Sequence, residues 1–224
     1  MRWTLKRDIF AFGVVAAVLV IVGLFGPSLP EQVPSHFDLH GNVDDTMQRT
    51  NFIWMIIGLT IGLYIVMTFF PFIDPFRARI QSRYAVLMLI RDFLLAFILV
   101  MLFLTVFAAR DGHIPLNMLG VSFGVLFAFI GNYLPKVPRN WFFGIRTPWT
   151  LVSDTVWQRS HVVGGWMLAV SGVLTVLLSL VGIGLEYVLL PSLVVTIVVS
   201  GFVYPFLLHR RLQQEGAEHI NDRA

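Results

Sequence analysis

The chain has 224 residues, of which 57% are hydrophobic and only 13% charged, about half the charge density of a soluble domain, so it reads as a membrane protein. It contains no cysteine, which excludes disulfides, thiolate metal sites and cysteine nucleophiles. The formal net charge of +3 becomes informative only when its placement along the chain is followed.

A spanning helix needs about 20 mostly apolar residues. Six stretches qualify: residues 9–26, 52–70, 84–109, 116–134, 162–182 and 187–208. The first follows a basic start, MRWTLKR, as a secretory signal would. Its apolar run is long for a signal, and FGPSLP follows in place of a small-residue cleavage site, so an uncleaved first span is predicted.

The segment 27–51 between the first two spans carries four acids and one arginine. Pro27, Pro30 and Pro34 make it extended or turned rather than helical, and Gly41-Asn42 is a turn signal. Within HFDLHGNVDD, His36, Asp38 and His40 alternate, so their side chains share a face of an extended segment. Imidazole and carboxylate suit first-row metals, yet the spacing matches no established zinc pattern. A turn or peptide-contact loop, a metal site at His36, Asp38 and His40, and hydrolytic chemistry on such a metal all remain open on these residues.

The segment 71–92 interleaves Arg77, Arg79 and Arg83 with Phe76, Ile80 and Tyr84, a pattern able to lie flat on anionic lipid. Arg91 and Asp92 follow, a few residues into the third apolar stretch. Arg91 is expected to snorkel to the surface. Neighbouring residues do not face each other on a helix, so Asp92 is expected to seek another partner, with Arg146 a candidate. Few other ionisable groups fall inside the spans, a poor inventory for ion or proton transport. The pairs Gly58/Gly62 and Gly120/Gly124 permit close helix packing.

Between the fourth and fifth spans stands GNYLPKVPRNWFFGIRTPWT, residues 131–150, with three prolines, two tryptophans, three cations and no acid. Pro148 forces Thr147 into an extended conformation. Ser153 or Asp154 is placed to cap a short helix carrying Trp157 and His161 at i and i+4. Trp141, Trp149 and Trp157 are expected at headgroup depth. The stretch reads either as an aromatic anchor or as a docking face whose positive charge suits anionic lipid or an acidic partner. Across the whole chain, the alternating sides carry fourteen and two Lys or Arg residues. Both termini and this loop are therefore expected to be cytoplasmic, and 27–51 is the one sizeable outer loop.

The run NYLPKVPRNWFFGIRTPWTLVSDTVWQRSH resembles the hallmark of the SdpI-like immunity family, through Asn132, Tyr133, Pro135, Lys136, Gly144 to Thr150, Val156, Trp157 and His161. The outer loop resembles a small domain of unknown function that often precedes it, through Leu29, Pro30, Pro34, His36, Phe37, Gly41 and Asp44. Val33 stands where isoleucine is common, and Asp45 where a small residue is usual.

The resemblance implies an all-α protein of the bacterial cytoplasmic membrane with six spans. Residues 1–75 would hold the first two spans and the acidic outer loop. Residues 76–224 would form the four-span region with its signature loop 132–161. It further implies protection against a secreted toxic peptide and, in the best-known branch, capture of a winged-helix repressor. On this reading His36, Gly41 and Asp44 form the outer ligand site. Asn132, Pro135, Arg146, Thr147, Pro148, Trp149, Trp157 and His161 form the cytoplasmic docking motif. No enzymatic activity, cofactor or direct nucleic-acid contact is expected, and a homo-oligomer is open. The rival readings are a membrane-embedded metal-dependent hydrolase and a small-solute or peptide exporter.

Overall fold

A computed structural model describes residues 5–38, 42–183 and 185–221. Six of its helices are long and apolar enough to cross a membrane. Helix α1 (Leu5–Phe25) ends in a 3₁₀ turn at Gly26–Ser28, where Pro27 cannot continue an α-helix. Strands β1 (Gln32–Phe37) and β2 (Val43–Gln48) form an antiparallel hairpin. The segment expected to be an extended outer loop is thus a small sheet, and the rest of the described secondary structure is helical. Its pairing is irregular around Pro34 and His36, as expected where a proline removes a ladder donor. Val33 is fully buried and packs with Val18, Val22, Phe52, Ile56 and Leu102, plugging the hairpin into the bundle.

Helix α2 (Arg49–Ile73) begins at the residue after β2, with no linker. It stops at Asp74, held extended (ψ 133°) by the proline that follows. Helix α3 (Arg77–Asp111) is one continuous rod of 35 residues, about 52 Å long, closed by Gly112 in the left-handed region (φ 71°). The basic segment expected to lie flat on lipid is instead the first turns of this rod. Apolar side chains explain the difference: Ile80, Tyr84, Leu87 and Met88 are buried against Val137 and Trp157 of the segment between the fourth and fifth spans and the start of the fifth. Helix α4 (Leu116–Tyr133) returns to the basic side.

A five-residue helix α5 (Pro148–Val152) precedes α6 (Asp154–Leu180). Ser153 caps α6 through a bond from Val156 N–H, as expected, but the helix it starts has 27 residues and includes the whole fifth span. Helix α7 (Leu185–Thr196), a π-helical stretch (Ile197–Val203) and α8 (Tyr204–Asn221) make the last crossing. Helices α4 and α6 approach backbone to backbone. A Cβ on Gly131 would lie 2.6 Å from the Gly165 carbonyl oxygen, and one on Gly124 2.7 Å from that of Gly172. Of the two expected small-residue pairs, Gly124 serves this crossing, while Gly58 and Gly62 have nothing within 4 Å of an added Cβ.

The sequence reading of Arg91 and Asp92 is overturned. Arg91 is fully buried. Its Nη1 meets Asp8 Oδ1 at 3.0 Å and donates to Thr68 Oγ1 at 2.7 Å, while Nε and Nη2 donate to Asp92 Oδ1 at 2.9 and 2.7 Å. Tyr64 hydroxyl donates to Asp8 Oδ2 at 2.8 Å. Asp92 therefore takes its neighbour as partner, because the arginine side chain bends back along the helix, and Arg146 is elsewhere. Asp8 lies in the first turn of α1, where the helix dipole favours a carboxylate. Arg91 meets it about 21 Å along α3 and Asp8 lies about 4.5 Å into α1, so roughly the first three turns of α3 extend beyond the start of α1. Protein, not water, surrounds the guanidinium at this level. The bundle does contain buried charge, paired across α1, α2 and α3.

Candidate functional site

On the hairpin side, β2 turns Asp44 and Asp45 outward. His36 Nδ1 lies 2.6 Å from Asp44 Oδ1, with both side chains exposed. Asp38 accepts bonds from Asn42 N–H (2.8 Å) and Nδ2 (3.1 Å), closing the turn. Gly41 and His40 lie outside the described residues, so of the expected outer site only the His36–Asp44 pair can be placed. Of the expected metal set, His36 faces Asp44 and Asp38 faces Asn42. Among the described residues no three His, Cys, Asp or Glu side chains are grouped to hold a metal ion. Arg49, the single cation of this segment, donates to the carbonyls of Pro27 (3.1 Å) and Leu29 (2.9 Å) and not to the hairpin's carboxylates.

On the opposite side, residues 134–153 fold into a headpiece on the protruding ends of α3 and α6. Asn140 is its organiser. Buried, it donates from Nδ2 to the carbonyls of Pro138 (2.8 Å) and Phe143 (2.9 Å), and its Oδ1 accepts from Phe142 and Phe143 N–H. Thr147 and Thr150 form a reciprocal cap that starts α5. Trp157 is buried rather than at headgroup depth, and its indole N–H donates to Val137 carbonyl at 3.0 Å.

His161 is buried and stacks on Trp157 at 4.0 Å between ring centroids. Its Nε2 accepts from Ile145 N–H at 3.0 Å, so the proton sits on Nδ1, which donates to Trp157 carbonyl at 2.8 Å. Gly144, at φ 112°, brings the backbone so close that a Cβ there would collide with the His161 ring. Replacing His161 by alanine is expected to orphan the Ile145 N–H and cost about 1–3 kcal/mol. Trypsin applied from this face should then cut faster at Arg139 and Arg146, and an unchanged rate would refute the pin.

The expected docking residues divide into two sets. Thr147, Trp157 and His161 are buried and shape the headpiece, and Trp149 packs edge-on against Phe206 of α8 at 5.4 Å. Asn132, Arg146 and Pro148 are exposed, with Pro135 partly so. Arg146 donates from Nη1 to Trp141 carbonyl at 2.6 Å, and the Trp141 side chain beside it is half-exposed.

The residue that joins the headpiece to α2 is one the sequence reading passed over. Asp74 is buried. Its Oδ1 accepts from Phe76 N–H at 2.6 Å and its Oδ2 from Trp141 N–H at 2.8 Å. Phe70 stacks on Phe142 at 4.6 Å beside it. An acid directly before a proline at a span end was the available signal. Arg139 and Arg79 both pair with Asp154 at the start of α6, Arg139 at 3.0 Å.

Comparison with known proteins matches residues 136–207 to the SdpI/YfhL protein family and residues 13–61 to a domain of unknown function, DUF1648. The "Immunity protein SdpI" of Bacillus subtilis (strain 168) is 22% identical over 176 residues, covering 78% of this chain and 82% of that protein. No solved structure matches. The headpiece and the spans behind it lie in the first match and the hairpin in the second; the chain is a six-span membrane protein similar to the SdpI/YfhL family over residues 136–207 and to DUF1648 over residues 13–61.

Proposed function

We propose that the chain is an immunity and sensor protein of the bacterial cytoplasmic membrane. A secreted cationic peptide meets the acidic outer hairpin around His36 and Asp44. The headpiece presents Arg146, Trp141 and Pro148 to a cytoplasmic winged-helix repressor. Similarity to the Bacillus subtilis immunity protein supports the protective half. The observation that carries the sensor half is the covalent route between the two faces: β2 runs directly into α2, and Asp74 at the far end holds Trp141. Such a route signals only if peptide binds one arrangement of α2 better than another. A metal-dependent hydrolase is disfavoured by the pairing of His36 with Asp44 and of Asp38 with Asn42.

The test is a photo-reactive side chain at Trp141, since Thr147 is buried and cannot report contacts. Peptide stress is expected to yield a crosslink to a small DNA-binding protein, absent without stress. Arg146→Ala should abolish the crosslink while peptide tolerance and membrane level stay at wild-type values. Crosslinks to lipid and neighbouring helices alone, under stress, would end the sensor reading and leave immunity within the membrane.

A further inference from the structure

The hairpin side of the bundle has two cations, Arg49 and Arg110. Arg49 is engaged with two backbone carbonyls. Arg110 is exposed, in the last turn of α3, and among the described residues it makes no ion pair or hydrogen bond. It stands at the mouth of a crevice of about 230 Å³ between the outer ends of α1 and α3, walled by Ile21, Phe25, Phe103, Val106 and Phe107. Phe103, Phe107 and Arg110 follow one another at i, i+4 and i+7, so they line one helix face. Phe103 and Phe107 are more than half exposed, which places the crevice on the side of the bundle that lipid covers.

We infer that this crevice binds an anionic phospholipid of the outer leaflet, with an acyl chain between α1 and α3 and the phosphate on Arg110. The walls offer an apolar slot at hydrocarbon depth, and an empty slot forfeits dispersion contacts that a chain restores. The cation stands at the end of the spanning helix, at headgroup level, where a phosphodiester of the bilayer can meet it. An uncharged amphiphile would fill the slot and leave Arg110 unmatched. The hairpin's carboxylates and the neighbouring Asp111 do not take it: among the described residues none of them pairs with Arg110. This site is independent of the peptide reading above, since its ligand comes from the bilayer itself.

The full-length protein in nanodiscs of equal phosphatidylglycerol and phosphatidylcholine, released into native mass spectrometry, gives the ratio of retained lipids. The wild type is expected to retain phosphatidylglycerol preferentially. R110Q should lower that ratio about fivefold, the factor for one lost cation–lipid contact, and R110K should restore most of it. Because Arg110 is exposed, both variants are expected to melt like the wild type. The basic headpiece also attracts anionic lipid, so only the part removed by R110Q counts. Millimolar inorganic phosphate should displace nothing, because it has no chain to seat. An unchanged ratio in R110Q, displacement by phosphate alone, or displacement of the lipid by a hydrophobic peptide would each overturn the assignment.

Discussion

Replacing Arg91 by alanine is expected to remove most folded protein from the membrane. The guanidinium is fully buried and serves two carboxylates, on Asp8 and Asp92, and the Thr68 hydroxyl at once. Deleting it leaves two acids facing each other's field with no cation between them. Breaking a buried ion pair by removing one partner costs about 3–5 kcal/mol, a large share of the stability of a typical domain. Removing all three charges together, as Asp8→Asn, Arg91→Met and Asp92→Asn, should cost far less, because no uncompensated charge remains. Detergent-extracted yield by size exclusion, with a thermal melt, reads both variants. An Arg91→Ala protein with wild-type yield and melting temperature would show that water reaches this cluster and that the three helices are joined by other contacts.

The second large effect is expected at Gly131. An alanine there puts its Cβ 2.6 Å from the Gly165 carbonyl oxygen, and backbone cannot rotate away as a side chain can. The α4–α6 crossing has to open, and overpacking of this kind costs about 1–3 kcal/mol. Gly58→Ala is the matched control. Nothing lies within 4 Å of its added Cβ, so only helix propensity acts, in the stabilising direction, by up to about 1 kcal/mol. Opposite shifts in melting temperature are therefore expected from the same chemical change in two helices of one bundle. Equal shifts would mean that α4 and α6 do not touch along their glycines.

Both glycine pairs look alike as sequence, and only the fold separates them, because spacing states that a helix can be approached and not whether it is. The spans themselves were legible, since 20 apolar residues admit few other fates. Their ends were less so. α3 and α6 both start earlier than hydropathy indicates, at Arg77 and Asp154, because the extra turns are covered by the headpiece and not by lipid. Thr147 and Ser153 were readable from local chemistry alone: a proline fixes the residue before it, and a serine ahead of a helix caps it. Arg91, Asp74 and Asn140 were not, because their partners lie 83, 67 and only a few residues away, and a single sequence does not reveal whether a loop folds back. Asp8 was the missed clue: an acid among the basic residues at the start of a span asks for a reason.

The direct join of β2 to α2 has a mechanical consequence. A flexible linker would let the hairpin reorient while the span stayed still. Here the hairpin and a helix of 25 residues, about 37 Å long, share one backbone direction up to Pro71 in its last turn. A tilt of roughly ten degrees about the hairpin end sweeps the other end by about 6 Å, twice the reach of the hydrogen bond between Asp74 and Trp141. The arrangement therefore has leverage: an angle too small to unseat Val33 from the bundle is large enough to part α2 from the headpiece.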